Sequence, residues 1–118
     1  MARITIADGV LTVHLRGIDK VLAIHGNVSV PVSHIQGVDV RPEEAFNLFH
    51  GLRAGTNIPH VITAGTFYTH NGKLFFDIHD PERSIAIDLE HDNYSRLIVQ
   101  VDDDETPEST AERIRAAL

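Results

Sequence analysis

A chain of 118 residues is long enough to form one hydrophobic core and too short to form two. Hydrophobic residues make up 42% of the chain and charged residues 23%, proportions that are typical of globular proteins and exclude a disordered or fibrous class. The formal net charge of -7, from 17 acidic and 10 basic residues, argues against nucleic acid or an anionic membrane as a partner.

Cysteine is absent, which excludes disulfides and thiol catalysis and is compatible with a reducing compartment. The first residues read as a strand rather than as a signal peptide. No apolar run approaches the roughly 18 residues that a membrane-spanning helix requires. We therefore expect a cytoplasmic protein with a single domain over residues 1–118.

The first predicted element is a β-hairpin. Two alternating runs flank Asp8-Gly9, a dipeptide that readily adopts the positive φ angles of a two-residue type I′ turn. The polar side of the alternation carries His14 beside Thr12 and Arg16, and we expect these side chains to face water. The apolar side is predicted to be buried and comprises Ile4, Ile6, Leu11, Val13 and Leu15.

The middle of the chain mixes helix and strand signals. Helical spacing predicts a short helix near residues 18–25, and a proline and a glycine bracket a second one near residues 42–50. Between the two helices, the alternation in NVSVPVSHIQGVDVRP predicts strand structure, with Pro31 marking a sheet edge. The buried residues predicted here are Val28, Val30, Ile35, Val38 and Val40.

The second half of the chain is predicted to form a meander of antiparallel strands followed by a helix. Turns are expected at Asn71-Gly72 and at DPER, residues 80–83. Thr106 is the predicted N-cap of the helix, with Pro107 at its first position. The apolar stripe of this helix comprises Ala111, Ile114 and Leu118. The whole chain then has seven or eight antiparallel strands and a C-terminal helix.

The stretch FFDIHDPERSIAIDLEHD, residues 75–92, is the part of the sequence that most resembles a chemical site. If the DPER turn places His79 opposite Ser84, Asp77 pairs with Ala86 and one face of the hairpin is wholly apolar. That face is predicted to lie in the core and consists of Leu74, Phe76, Ile78, Ile85, Ile87 and Leu89.

The opposite face of this hairpin has two interpretations. Asp77, His79 and Asp88 share it with Glu90, and they would serve as ligands or acid-base groups in a small metal-dependent enzyme. Diagonal neighbours in a sheet lie about 7 Å apart, which is poor geometry for a closed metal shell, so a solvated face is favoured. The HExxH, GxSxG and GxxxxGK[ST] patterns are also absent. We expect no catalytic residues, no metal and no cofactor.

The order of the predicted elements resembles that of the bacterial pleckstrin-homology (PH)-like domain family. VSVPVSHIQGVDV, residues 28–40, resembles the family pattern of a strand, a proline, a short turn and Ile-x-x-Val-x-Val. AGTFYTHNGKLFFDI and TPESTAERIRAAL are similar to its later strands and its helix. The resemblance implies a β-barrel or roll and a non-enzymatic interaction or assembly module. Its expected ligands are a protein, a peptide or a small anionic group, or the chain itself in a homo-oligomer.

A long connection at residues 46–60 is the predicted binding site for a ligand or partner, because long ordered loops in compact domains are disproportionately functional. Its aromatic residues supply an apolar anchor, and Arg53 offers a guanidinium to a carboxylate or phosphate. The alternative is that the aromatic side chains plug one end of the barrel. The predicted site residues are Phe46, Phe49, His50, Leu52, Arg53, Gly55 and His60.

The charge pattern predicts negligible binding to anionic vesicles at physiological salt. Polybasic attachment requires several surface Lys or Arg residues, each contributing roughly 1 kcal/mol, and no such cluster stands out in the sequence. Sedimentation with phosphoinositide-containing vesicles measures this directly. Co-pelleting that decreases as salt is added would contradict the prediction.

Overall fold

A computed structural model describes residues 2–15, 27–43, 45, 63–69, 72–78, 80–90, 92 and 94–118. Within these residues the fold is mostly β with a C-terminal helix, as predicted, but its two sheets do not close into a barrel. The elements are β1 (Ala2–Ala7), β2 (Val10–Leu15), β3 (Val28–Pro31), β4 (Ile35–Val40), β5 (Thr63–Thr69), β6 (Gly72–Ile78), β7 (Ser84–Leu89), β8 (Arg96–Gln100) and α1 (Pro107–Arg115).

The first sheet contains β1, β2 and β3 in that order, all antiparallel. Asp8 and Gly9 have φ angles of 53° and 75°, so the predicted two-residue turn is confirmed. Ile4 pairs with Val13, and both side chains are buried on the face that turns toward the second sheet. The predicted helix near 18–25, which follows this hairpin, lies outside the described residues.

The second sheet has the order β4-β7-β8-β6-β5, and this order differs from the predicted meander. Strand β8 lies between β6 and β7 and runs parallel to β6, so the predicted β6-β7 hairpin is wrong. The reason is the composition of β8, in which Leu97, Ile98 and Val99 are all fully buried. A strand that is apolar on both faces belongs in the middle of a sheet. Consequently, Asp77 pairs with Val99 rather than with Ala86.

The connection from β6 to β7 passes across the end of β8 and is hydrogen-bonded to it. Pro81–Arg83 form a 3-10 turn that is capped by the Asp80 carboxylate, which accepts from the Glu82 N–H. The Asp80 N–H donates to Gln100 Oε1 at 2.6 Å. The Val101 N–H donates to the Arg83 carbonyl at 3.0 Å. The DPER segment is therefore a crossover and not a hairpin turn.

Burial in the second sheet is divided between two faces. Five of the six residues predicted for the apolar hairpin face are buried and Leu74 is half-buried, but they lie on opposite sides of the sheet. Ile85 and Ile87 face the first sheet and share the main core with Phe75. Phe76 and Ile78 face away from it in a second cluster, which also contains Ala45, Ala86 and Ile98. The single apolar hairpin face predicted from the sequence is therefore wrong.

The β5-β6 hairpin is shifted by two residues from its predicted register. A two-residue turn at Asn71-Gly72 would place Thr66 opposite Asp77, whereas Thr69 pairs with Gly72 and Thr66 pairs with Phe75. Gly72 has a φ of 113°, and a Cβ at this position would clash with the Ser95 side chain. Only glycine therefore fits at this end of β6.

Helix α1 begins as predicted and ends earlier. The Thr106 hydroxyl accepts from the Ser109 N–H at 3.0 Å, and the Ser109 hydroxyl in turn accepts from the Thr106 N–H. Ala111 and Ile114 are fully buried in the main core. Leu118 is 54% exposed because the helix stops at Arg115, so its predicted place in the apolar stripe is wrong.

An ion pair connects α1 to the end of β4. The Arg41 guanidinium donates to both oxygens of the Glu108 carboxylate, at 2.5 and 3.3 Å. These hydrogen bonds lower the pKa of Glu108 and raise that of Arg41. Because both side chains are exposed, the pair orients the helix more than it stabilises the fold.

Replacing Phe76 with Ala should destabilise the fold by about 3 to 5 kcal/mol, because it opens a cavity in the second cluster. Thermal unfolding measures the loss, and Leu118→Ala serves as an exposed apolar control that should leave the melting temperature unchanged. Equal melting temperatures for Phe76→Ala and the parent would show that the second cluster does not contribute to the stability of the fold.

Candidate functional site

The predicted site at residues 46–60 lies outside the described residues, so Phe46, Phe49, His50, Leu52, Arg53, Gly55 and His60 remain a prediction. The described structure reaches the start of that segment. Glu43 and Ala45 have helical backbone, in agreement with the start of the predicted 42–50 helix. Ala45 is fully buried against Phe76 and Ile98. The residues that precede the 46–60 segment therefore lie against the face of the second sheet that carries Phe76.

The alternative site at Asp77, His79 and Asp88 does not have the predicted geometry. Asp77 is fully buried on the face of the second sheet that carries Phe75. Asp88 lies on the opposite face, opposite Arg96 in the β7-β8 pairing. His79 is outside the described residues. Among the described side chains, no group of three or more metal-ligating residues is present.

Asp88 belongs to an ion-pair network that crosses three strands. Arg96 Nη1 donates to the Asp88 carboxylate at 2.6 Å, and Arg96 Nη2 donates to the Asp39 carboxylate at 2.9 Å. One arginine on β8 thus neutralises carboxylates on β7 and β4. Such an arrangement links three neighbouring strands through charge-assisted hydrogen bonds and therefore supports sheet packing.

The polar surface of the first sheet carries side-chain hydrogen bonds that connect all three of its strands. We call it the outer face. Its side chains alternate with the buried ones along each strand, and all of them are exposed or half-buried. The outer face consists of Arg3, Thr5, Ala7, Val10, Thr12, His14, Asn27, Ser29 and Pro31.

His14 lies on the middle strand of the outer face, opposite Arg3 in the β1-β2 pairing. Its Nε2 is 2.9 Å from Thr5 Oγ1 on β1, and its Nδ1 is 3.2 Å from Asn27 Nδ2 beside β3. When the Asn27 amide donates to Nδ1, the neutral imidazole carries its hydrogen on Nε2 and donates to Thr5. The Thr5 hydroxyl hydrogen then points to another acceptor. A second bridge joins Thr12 Oγ1 to Ser29 Oγ at 3.2 Å.

The outer face differs in charge from the rest of the chain. None of its nine residues carries a carboxylate, although the chain has 17 acidic residues, and Arg3 supplies a permanent positive charge. The Arg3 guanidinium only donates hydrogen bonds, whereas each hydroxyl of the face donates one and also accepts. The chemistry favours an anionic acceptor, such as a carboxylate, over a cation.

A small polar cleft borders the outer face at the edge of β1. Its volume is about 100 Å³, below the roughly 300 Å³ of a typical small-molecule site. Glu105 on its wall accepts from Arg113 Nη2 at 2.8 and 3.1 Å. The cleft accommodates water or a single side chain, and its lining comprises Arg3, Ile4, Thr5, Asp102, Asp104, Glu105 and Arg113.

The alternation along β2 predicts the correct side of the strand for His14 but does not predict the network around it. The signal was present in three short polar alternations, Arg3-x-Thr5, Thr12-x-His14 and Asn27-x-Ser29. Only the strand order β1-β2-β3 shows that these pairs lie side by side.

No family model, curated protein or solved structure matches the chain. No helix in the described part of the chain is long and apolar enough to cross a membrane. The inference of function therefore depends on the surface chemistry of the described residues.

If the Asp39-Arg96-Asp88 network is structural, Arg96→Ala should destabilise the fold by about 1 to 2 kcal/mol, because it leaves two carboxylates without their shared cation. Adding Asp88→Asn to that variant should recover part of the loss. A double-mutant cycle by urea unfolding measures the coupling. Strictly additive effects would show that Arg96 and Asp88 contribute independently.

Proposed function

We propose that the protein is a non-enzymatic interaction module that binds an acidic segment of a partner protein on the outer face of the first sheet. The observation that carries this proposal is the absence of carboxylates from nine neighbouring surface residues in a chain of net charge -7. Electrostatic complementarity of this kind selects partners and orients their approach.

The hydrogen-bond network supports binding because it reduces the ordering required of the free protein. His14, Thr5 and Asn27 already hold each other across three strands, so fewer rotamers must be fixed when a ligand arrives. A partner carboxylate can accept from the hydroxyl donors of the outer face and from the Arg3 guanidinium, which also borders the cleft that contains Asp102, Asp104 and Glu105. Charge-assisted hydrogen bonds contribute about 1.5 to 3 kcal/mol each.

The expected complex is weak and reversible. The face has three strands of six, six and four residues, which is small beside the roughly 800 Å² per partner of a standard stable interface, and transient complexes are typically small. The overall negative charge also repels an acidic partner at long range. Salt screens this repulsion beyond about 8 Å at physiological ionic strength and leaves the short-range contacts with Arg3 in place.

The resemblance to bacterial PH-like domains is part of the proposal at the level of architecture. Two sheets with a C-terminal helix agree with it in outline, and the parallel β6-β8 pair departs from the antiparallel order that it implied. The proposed function does not depend on the family, because one fold supports many different binding sites.

An octaglutamate peptide is a suitable probe for this surface. Titration monitored by amide NMR should shift resonances of Arg3, Thr5, Thr12, His14 and Ser29, while an octalysine peptide should leave them unchanged. Arg3→Ala should weaken the octaglutamate interaction about tenfold, which corresponds to the loss of one charged contact of about 1.4 kcal/mol. Octaglutamate shifts confined to other surfaces, or larger shifts of these five resonances with octalysine than with octaglutamate, would overturn the proposal.

Two control variants separate a local contact from a general charge effect. Lys73→Gln removes one positive charge from the second sheet and should leave octaglutamate affinity within about twofold of the parent. His14→Gln keeps a hydrogen-bonding side chain at the centre of the network and should weaken binding less than His14→Ala. Equal losses for Arg3→Ala and Lys73→Gln would show that only net charge matters.

A further inference from the structure

The two sheets have four edge strands, and these strands differ in how the described residues block them. The edges are β1 and β3 in the first sheet and β4 and β5 in the second. An edge strand presents N–H and C=O groups to which another strand can pair, and proteins usually block such edges with proline, charge or a covering element.

Helix α1 blocks two of these edges with arginine side chains. Arg113 Nη1 donates to the Ile4 carbonyl on the outer side of β1 at 2.9 Å. Arg115 Nη2 donates to the Val38 carbonyl on β4 at 2.7 Å. Each guanidinium occupies an acceptor that an incoming strand would need. The helix therefore closes one edge of each sheet.

Proline blocks the third edge. Pro31 lies at the end of β3, opposite Val10, and it has no N–H to donate to a further strand. With four residues, β3 is also the shortest strand described. It therefore offers a poor template for strand addition.

Within the described residues, β5 has neither an arginine cap nor a proline. This strand has seven residues, Thr63–Thr69, and its sequence TAGTFYT contains no proline and no charged residue. The arginine caps of the described structure fall on β1 and β4. Threonine, phenylalanine and tyrosine are residues that favour strands.

The register shows which backbone groups of β5 face outward. The Ser95 N–H donates to the Lys73 carbonyl at 2.8 Å, so Lys73 turns its backbone groups toward β8 and away from β5. Tyr68 is paired with Lys73 and therefore turns its own N–H and C=O away from β6. By alternation, the same holds for Thr66 and Ala64.

We infer that β5 pairs antiparallel with β5 of a second copy of the chain, across a two-fold axis at Thr66. This arrangement places Ala64 opposite Tyr68 of the partner subunit and forms about six backbone hydrogen bonds. The two five-stranded sheets join into one continuous sheet. The uncharged sequence favours a second copy, because a two-fold axis brings each strand face to face with itself and like charges there are destabilising.

Hydrogen exchange of individual amides tests this pairing without any substitution. As protein concentration rises from about 10 µM to 1 mM, the amides of Ala64, Thr66 and Tyr68 should gain protection at least tenfold. The amides of Gly65 and Phe67 point toward β6 and act as internal controls that should change little. Unchanged protection of all three outward amides, or protection gained at Ile4 or Ser29 instead, would overturn the inference.

Sedimentation equilibrium supplies the second measurement. The parent should show a concentration-dependent dimer in the absence of any peptide. Thr66→Pro removes the donor at the axis and should raise the dissociation constant at least tenfold, with circular dichroism confirming that the variant is folded. A monomer throughout for the parent would also overturn the pairing. If Thr66→Pro does not fold, the exchange measurement on the parent decides.

The pairing is independent of the proposed binding of an acidic segment. Arg3→Ala, which alters the outer face, should leave the dimer dissociation constant within about twofold of the parent. A large effect of Arg3→Ala on dimerisation would contradict pairing through β5 and place the contact on the first sheet.

Discussion

The position of β8 between β6 and β7 is the constraint on which the rest of the structure depends. Because β8 is buried on both faces, it separates two strands that are consecutive in the sequence. Its register with β6 turns Asp77 toward the first sheet, and its register with β7 places Asp88 beside Arg96 on the other side. Strand β8 therefore places Asp77 and Asp88 on opposite faces of the second sheet, where they cannot form a common site.

Arginine donors to backbone carbonyls secure the elements that follow β8. Arg83 Nη2 donates to the carbonyls of Asp102 and Glu105, at 2.7 and 2.8 Å, and holds the acidic turn beneath the β6-β7 crossover. Arg113 and Arg115 then connect the helix to an edge strand of each sheet. A guanidinium presents several donors in a fixed plane, so one side chain can serve a carbonyl and a carboxylate together. An acidic chain with few cations thereby stabilises both its helix and its sheet edges.

The features that could be predicted from the sequence are those with a local physical signal. Asp8-Gly9 specifies its turn, and Thr106-Pro107 specifies the start of α1, because the backbone conformation depends on those residues themselves. Strand order has no such local signal: the apolar run at residues 97–99 favours a central position for β8, but no residue near it in the sequence decides which strands flank it. Gly72 shows a further limit, because the Ser95 side chain that a Cβ there would meet lies far along the chain.

The same reasoning explains why the candidate surface was only partly predictable. Alternation along β2 places His14 on the polar side, but its contacts with Thr5 and Asn27 depend on three strands lying side by side. The segment 46–60 stays a prediction, because it lies outside the described residues. The two sheets differ in what they leave accessible. The first sheet has two blocked edges and a polar face, whereas the second buries apolar residues on both faces and has its uncharged edge at β5. Binding through a face depends on side-chain charge and responds to salt, whereas strand pairing depends on backbone hydrogen bonds and responds little. Salt dependence therefore separates the two modes of association on one small domain.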